Sequence, residues 1–155
     1  MNAAATVSLL LAFSALHTPA IAMDIKDLTR GSRATFLTDV EVPPHHEFVV
    51  LYERDIENAE GAPQTLACQL HFAQSNGPRA LRVGDAFVIA GRGWKKDSPI
   101  PGQLPTQTVF LRLANPDVPG HEFELQLKDS GNLSGQTDFD IAQWARRCRV
   151  AIDPA

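Results

Sequence analysis

Apolar and polar residues alternate along most of this chain, in short stretches that proline and glycine separate. Successive side chains of a β-strand point to opposite faces, so alternation with a period of two predicts strands that bury one face. Proline and glycine mark the turns, because proline lacks an amide donor and glycine tolerates turn conformations. The predicted strands are 32–42, 48–52, 66–72, 79–83 with 86–90, 107–113 and 122–127.

The close spacing of these strands favours antiparallel pairing over β-α-β units. We therefore expect a mainly β fold, a single-domain antiparallel β-sandwich or barrel of six or seven strands with one short C-terminal helix. The count depends on whether 79–90 is one strand or is divided at Gly84 and Asp85. The longest predicted irregular segment is 91–105, which carries three prolines and three glycines.

The short C-terminal helix is predicted to begin at Thr137, a suitable N-cap that acidic residues follow in the first turn. Arginines within 146–149 would place positive charge in the last turn, where the helix dipole favours it. An apolar stripe at positions i, i+3, i+4 and i+7 would face the sheet, and its members are Ile141, Trp144, Ala145 and Cys148.

The chain has two cysteines, Cys68 and Cys148, which lie 80 residues apart. If the chain is exported, as its N-terminal segment indicates below, such a pair is most simply one disulfide. Closing a loop of this length is worth roughly 4 kcal/mol on the chain-entropy model. A redox or metal role is the alternative, but the wide spacing and the lack of a C-x-x-C motif disfavour it.

The N-terminal segment has the pattern of a secretory signal. Residues 3–16 form an apolar run too short to span a bilayer, and Ala20-Ile21-Ala22 supplies the small residues that signal peptidase requires. We therefore expect residues 1–22 to be a cleaved signal peptide and 23–155 to be one β-rich domain in the periplasm or outside the cell. The segment before the run lacks the usual basic residue, and a translation start at Met23 is the alternative.

The charge balance narrows the classes of partner. The formal net charge is -4, from 14 basic and 18 acidic residues. A mild acidic excess gives no counterion-release drive towards nucleic acid and no general attraction to anionic lipid. We therefore expect no nucleic-acid binding. No further apolar run is long enough to span a membrane, so we also expect no integral membrane segment in the mature chain.

One segment has the composition of a contact surface. Trp94 is surrounded by the cations Arg92, Lys95 and Lys96, at the start of the predicted loop 91–105. An exposed indole stacks on sugars or apolar groups, and the cations can bind carboxylate or phosphate. The alternative is a solvated hairpin in which the indole folds back onto the edge of the sheet.

Histidines give a weak metal hypothesis. His45 and His46 precede Glu47, and either His71 or His121 with Glu122 would complete a site in space. Adjacent residues at the start of a strand point to opposite faces, however, so the first two cannot easily share one ion. A polar turn between two strands explains the cluster better, and we expect no metal and no cofactor.

The sequence contains no catalytic motif, since the serines of its turns lack the G-x-S-x-G pattern of a nucleophile elbow. We therefore expect a non-enzymatic, exported binding module that presents its loops to a protein or glycan partner. A structural or assembly subunit of an envelope complex or fibre, pairing through strand edges, is the alternative. A hydrolase or a metal-binding protein is less favoured.

Overall fold

The computed structural model describes residues 23–57, 63–72, 80–97, 106–130 and 140–155. Within these ranges the chain forms one 3₁₀ turn, nine strands and one α-helix. In chain order they are the 3₁₀ turn Ile25–Asp27, β1 (Arg33–Phe36), β2 (Val40–Glu41), β3 (Phe48–Glu57), β4 (Pro63–Phe72), β5 (Ala80–Leu81), β6 (Ala86–Asp97), β7 (Thr106–Ala114), β8 (Glu122–Ser130), α1 (Ile141–Arg147) and β9 (Val150–Asp153).

Seven strands form one curled antiparallel sheet in the order β3-β4-β8-β7-β6-β1-β9, and β2 pairs with β5 in a second small sheet. The expectation of a mainly β, antiparallel fold with a short C-terminal helix is confirmed. None of the helices within the described ranges is both long and apolar enough to cross a lipid bilayer. The predicted signal peptide, residues 1–22, lies outside the described residues.

The core lies against one face of the larger sheet. β8 alternates without interruption between buried and partly buried positions, as a strand with one packed face should. Its Leu125 lies in register between Leu111 of β7 and Leu70 of β4, and all three side chains are fully buried. This row of leucines packs side by side across three neighbouring strands and stabilises their pairing.

Helix α1 closes over the core as its apolar stripe predicts. Ile141 and Ala145 are buried, and Cys148 forms a disulfide with Cys68 of β4. The N-cap is Asp140, whose carboxylate accepts a hydrogen bond of 3.1 Å from the backbone N–H of Gln143. The predicted cap Thr137 lies outside the described residues, and the helix begins later than that prediction placed it.

The predicted strand 32–42 is divided into β1 and β2. Asp39 accounts for the break, because its carboxylate accepts hydrogen bonds from the backbone N–H of Val83 at 2.9 Å and from Arg82 at 3.1 Å. These contacts hold the chain against β5 instead of β6. The final strand β9 was not predicted, since four residues after a helix carry too little alternation to show a period.

The prediction of an irregular segment beginning at residue 91 is wrong for its first half. β6 continues to Asp97, paired with β7 from Val88↔Ala114 to Asp97↔Thr106. Pairing with a long neighbouring strand overrides the low strand propensity of glycine and lysine. Residues 98–105, which carry all three prolines of the segment, lie outside the described residues.

Candidate functional site

The predicted contact residues lie on β6. Arg92 and Trp94 are two positions apart and therefore share one face of the strand, and the indole is 60% exposed. Lys95 is exposed on the opposite face. The side chain of Lys96 lies outside the described part of the chain. The strand thus brings the first two residues together and separates Lys95 from them.

Arg92 and Trp94 extend the core face of the sheet beyond its packed centre. In register they lie opposite Leu111 and Val109 of β7, both of which are buried. A bulge lies between Ile89 and the next paired residue of β6, and it shifts which residues face the core. The bulge thereby places an arginine and an indole in line with the apolar rows of the core.

A groove of about 430 Å³ adjoins Arg92, between residues 28–30 and 89–92. It exists because β1 pairs with β6 only along Ala86–Val88 and then turns away. The last contact is a hydrogen bond of 2.7 Å from the Ile89 N–H to the Ser32 carbonyl. Gly31, at a φ of 100°, then reverses the chain in a left-handed conformation that glycine adopts without strain.

This groove, hereafter the cationic groove, has an apolar floor and a positive rim. Leu28 and Ile89 form the floor, and the exposed Arg30 and Arg92 stand at the rim. Among the described residues, no carboxylate lines this groove and neither arginine forms an ion pair. A guanidinium binds carboxylate or phosphate through two parallel hydrogen bonds, so the rim can hold an anionic group.

Sequence reasoning missed Arg30. The available signal was the pair Gly31-Ser32, which indicates a turn directly after this residue. The sequence pattern gives no sign that Arg30 lies near Arg92. The two arginines come close because β1 pairs with β6, which the sequence alone does not show. Their proximity is therefore a property of the tertiary structure.

The weak metal candidates lie in two different turns. His45 has a φ of 68°, and the N–H of His46 donates to the Pro43 carbonyl in the same turn. His121 belongs to the turn between β7 and β8, where its carbonyl accepts from the N–H of Asn115. Within the described ranges, no three histidine, cysteine, aspartate or glutamate side chains are grouped so that they could hold a metal ion.

A fourth histidine, His71 of β4, takes part in a polar cluster on the outer face of the sheet. Its ring stacks on Phe48 at 5.1 Å and lies 3.2 Å from the Gln69 side-chain oxygen, which also accepts from Lys128. Partial burial lowers the pKa of this imidazole, and the positive charge of Lys128 lowers it further, whereas Glu124 and Glu47 act in the opposite direction. The cluster joins β3, β4 and β8 on this face, and none of its residues lines the cationic groove.

Comparison with protein-family models, with curated proteins and with solved structures finds no match for this chain.

Proposed function

We propose that this chain is an exported, non-enzymatic binding module that contacts a protein or glycan partner through the face of β6 that carries Arg92 and Trp94. The observation that carries the proposal is the 60% exposed indole of Trp94 beside a cation without an ion-pair partner in the described ranges. Indole and guanidinium groups are enriched at the centres of interfaces, because they combine a large contact area with directional polar contacts.

The cationic groove supports this proposal, because it continues the same face with two further features of a binding site. Its volume of about 430 Å³ is in the range of small-ligand sites, and Arg30 adds a second cation at its rim. These groups supply contact area and charge. None of them is a nucleophile or a general base, so the surface suits capture of a partner and not bond cleavage.

The disulfide supports the export part of the proposal. Cys68 and Cys148 are both fully buried, and their bond links the sheet to the C-terminal helix. Disulfides form and persist in oxidising compartments and are rare in the cytosol. Together with the expected signal at residues 1–22, this bond favours the periplasm or the extracellular space.

The test is capture of the partner by the protein expressed in its source and purified from its native compartment. We expect Trp94→Ala and Arg92→Ala each to abolish capture and to leave the melting temperature nearly unchanged, because both side chains are exposed. Lys95→Ala should weaken capture less, since this lysine lies on the other face. Val83→Ala removes an equally exposed apolar group elsewhere and serves as the control. Capture that survives loss of Trp94 would refute the proposal.

A second candidate is a structural or assembly subunit that pairs through a strand edge. The observation that favours it is the exposure of apolar side chains on β3, an edge strand of the larger sheet. Phe48 and Val50 are each 42% exposed there. Apolar side chains on an edge strand favour pairing with another chain. The negative charges of Glu53 and Asp55 on the same strand oppose pairing between two copies of this edge, which is why this function ranks second.

Sedimentation of the purified chain over a range of concentrations separates the two candidates. Concentration-dependent oligomers that Val50→Lys abolishes would favour assembly through β3. A monomer at every concentration would leave the binding module as the function.

A further inference from the structure

The second side of β6 is open next to the cationic groove. β7 pairs with β6 as far as Asp97, whereas β1 pairs with it only at Ala86–Val88. From Ala90 to Trp94 no described residue pairs with the side of β6 that faces away from β7. Alternate residues of a strand direct their N–H and C=O groups to one side, so this interval presents backbone donors and acceptors to an incoming chain.

We propose that the partner is an extended acidic peptide segment of another protein, which adds as a strand along Ala90–Trp94 and places carboxylates on Arg30 and Arg92. This inference rests on the proposed function and names the chemistry of its partner. Addition of a strand to an open edge derives its affinity from backbone hydrogen bonds and its specificity from the side chains on either side of the edge.

β1 marks the line that an added strand would follow. It pairs with β6 up to Val88, and the turn at Gly31 then ends this pairing. A peptide beside Ala90–Trp94 would continue the line that β1 leaves. The four residue steps of this interval span about 13 Å, enough for a short peptide strand.

The charges at the groove select an acidic segment. Arg30 and Arg92 both line the groove beside the open edge, and no carboxylate of the described residues lines it. A peptide with acidic residues at alternate positions would direct its carboxylates to one face, towards the two guanidinium groups. Trp94 would then cover an apolar or aliphatic part of the same segment.

The open backbone favours a peptide over a glycan. A saccharide could stack on Trp94 and place carboxylates on the arginines, but it has no regular row of amides to match the edge of β6. A peptide uses the edge, the groove and the indole together. Binding of an acidic glycan is therefore the alternative that the test must separate.

The test measures binding of a fluorescent, end-blocked peptide in which Glu alternates with Thr to the full-length chain by anisotropy. Three matched probes accompany it: the same peptide with Gln for Glu, the same peptide N-methylated at alternate amides, and an oligomer of uronic acids. We expect the first two changes each to weaken binding about tenfold or more, because each removes one class of contact. The oligomer of uronic acids should bind more weakly than the parent peptide.

The variants Arg30→Gln and Arg92→Gln should each weaken binding of the acidic peptide about tenfold, and added salt should act in the same direction. Arg112→Gln is the matched control, because this exposed arginine of β7 pairs in register with Gly91 but lies on the other face of the sheet. Unchanged melting temperatures would show that every variant is folded.

The inference would be overturned by equal binding of the N-methylated and parent peptides, by binding that Arg92→Gln does not weaken, or by absence of peptide binding at millimolar concentration. Binding of the uronic acid oligomer at Trp94 without peptide binding would overturn the strand partner and leave the binding module standing. Partner capture that is independent of Trp94 would remove both.

Discussion

Gly93 of β6 lies directly beneath the aromatic ring of Phe110, its register partner on β7. A Cβ added to this glycine would lie 2.5 Å from Cε2 and 2.9 Å from Cδ2 of the ring. A glycine between Arg92 and Trp94 therefore lets the ring close down on the sheet. The ring covers the backbone on one face, and the two contact residues stand on the other.

We predict that Gly93→Ala destabilises the fold by about 1–3 kcal/mol, the usual cost of inserting a methyl group into occupied space. Urea unfolding monitored by circular dichroism measures this cost. Gly91→Ala is the matched control, because a Cβ there would meet Arg112 at an ordinary contact distance of 3.6 Å. Phe110→Ala should remove most of the penalty of Gly93→Ala, and additive effects of the two substitutions would contradict the overlap.

Much of the fold follows from local pattern. β8 and α1 were predictable because their apolar residues repeat at intervals of two and of three to four, with few exceptions. The second half of β6 was not, because Gly91, Gly93 and Lys95 have low strand propensity and pairing with β7 overrides it.

The site was predictable only in part. Arg92 and Trp94 stand out in the sequence, because an indole next to cations has the composition of a contact surface. The cationic groove depends on the turn at Gly31 meeting the bulge after Ile89, and these features are distant in sequence. Tertiary pairing alone brings Arg30 to the rim.

The disulfide between Cys68 and Cys148 should supply a large share of the stability. We expect Cys68→Ala combined with Cys148→Ala to lower the free energy of unfolding by about 2–5 kcal/mol, because the bond restricts a loop of 80 residues in the unfolded chain. Urea unfolding of the oxidised chain, the reduced chain and the double variant measures this. The reduced chain should resemble the double variant. Equal stability of all three would contradict the prediction.

His71 should make stability fall in mild acid. Its pKa lies below the ordinary histidine value in the folded chain, chiefly because partial burial disfavours the charged imidazole. Below pH ~6.5 the unfolded chain therefore protonates this imidazole more readily than the folded chain does. The folded state loses stability as the pH falls through this range, and well above pH ~6.5 the imidazole has no effect on stability.

The urea midpoint of the wild type should accordingly fall more between about pH 7.5 and 5.5 than that of His71→Gln, in which the group cannot titrate. Val83→Ala is exposed and uncharged, and it should keep the pH dependence of the wild type. Identical pH dependence in the wild type and His71→Gln would show that this imidazole does not contribute.

Asp140 should act both as the cap of α1 and as an anchor for the start of the predicted mature chain. Its Oδ1 atom accepts from the N–H of Gln143 at 3.1 Å and from the backbone nitrogen of Met23 at 3.4 Å. Asp140→Ala should lower the free energy of unfolding by about 1 kcal/mol, the usual cost of losing an N-cap. Asp140→Asn keeps the capping oxygen and should be close to neutral in a chain that retains residues 1–22.

Cleavage after Ala22 would turn the nitrogen of Met23 into an ammonium group facing the Asp140 carboxylate. In a chain that starts at Met23, Asp140→Asn should then destabilise measurably, because the asparagine keeps the cap and loses the charge pair. Raising the pH above the pKa of the α-amino group, about 8, should reduce this difference, since the neutral amine attracts the carboxylate less. Urea unfolding of both chain lengths, each with Asp140 and with Asn in its place, measures the pair. An equal effect of Asp140→Asn in the two chains would show that the carboxylate serves only the helix.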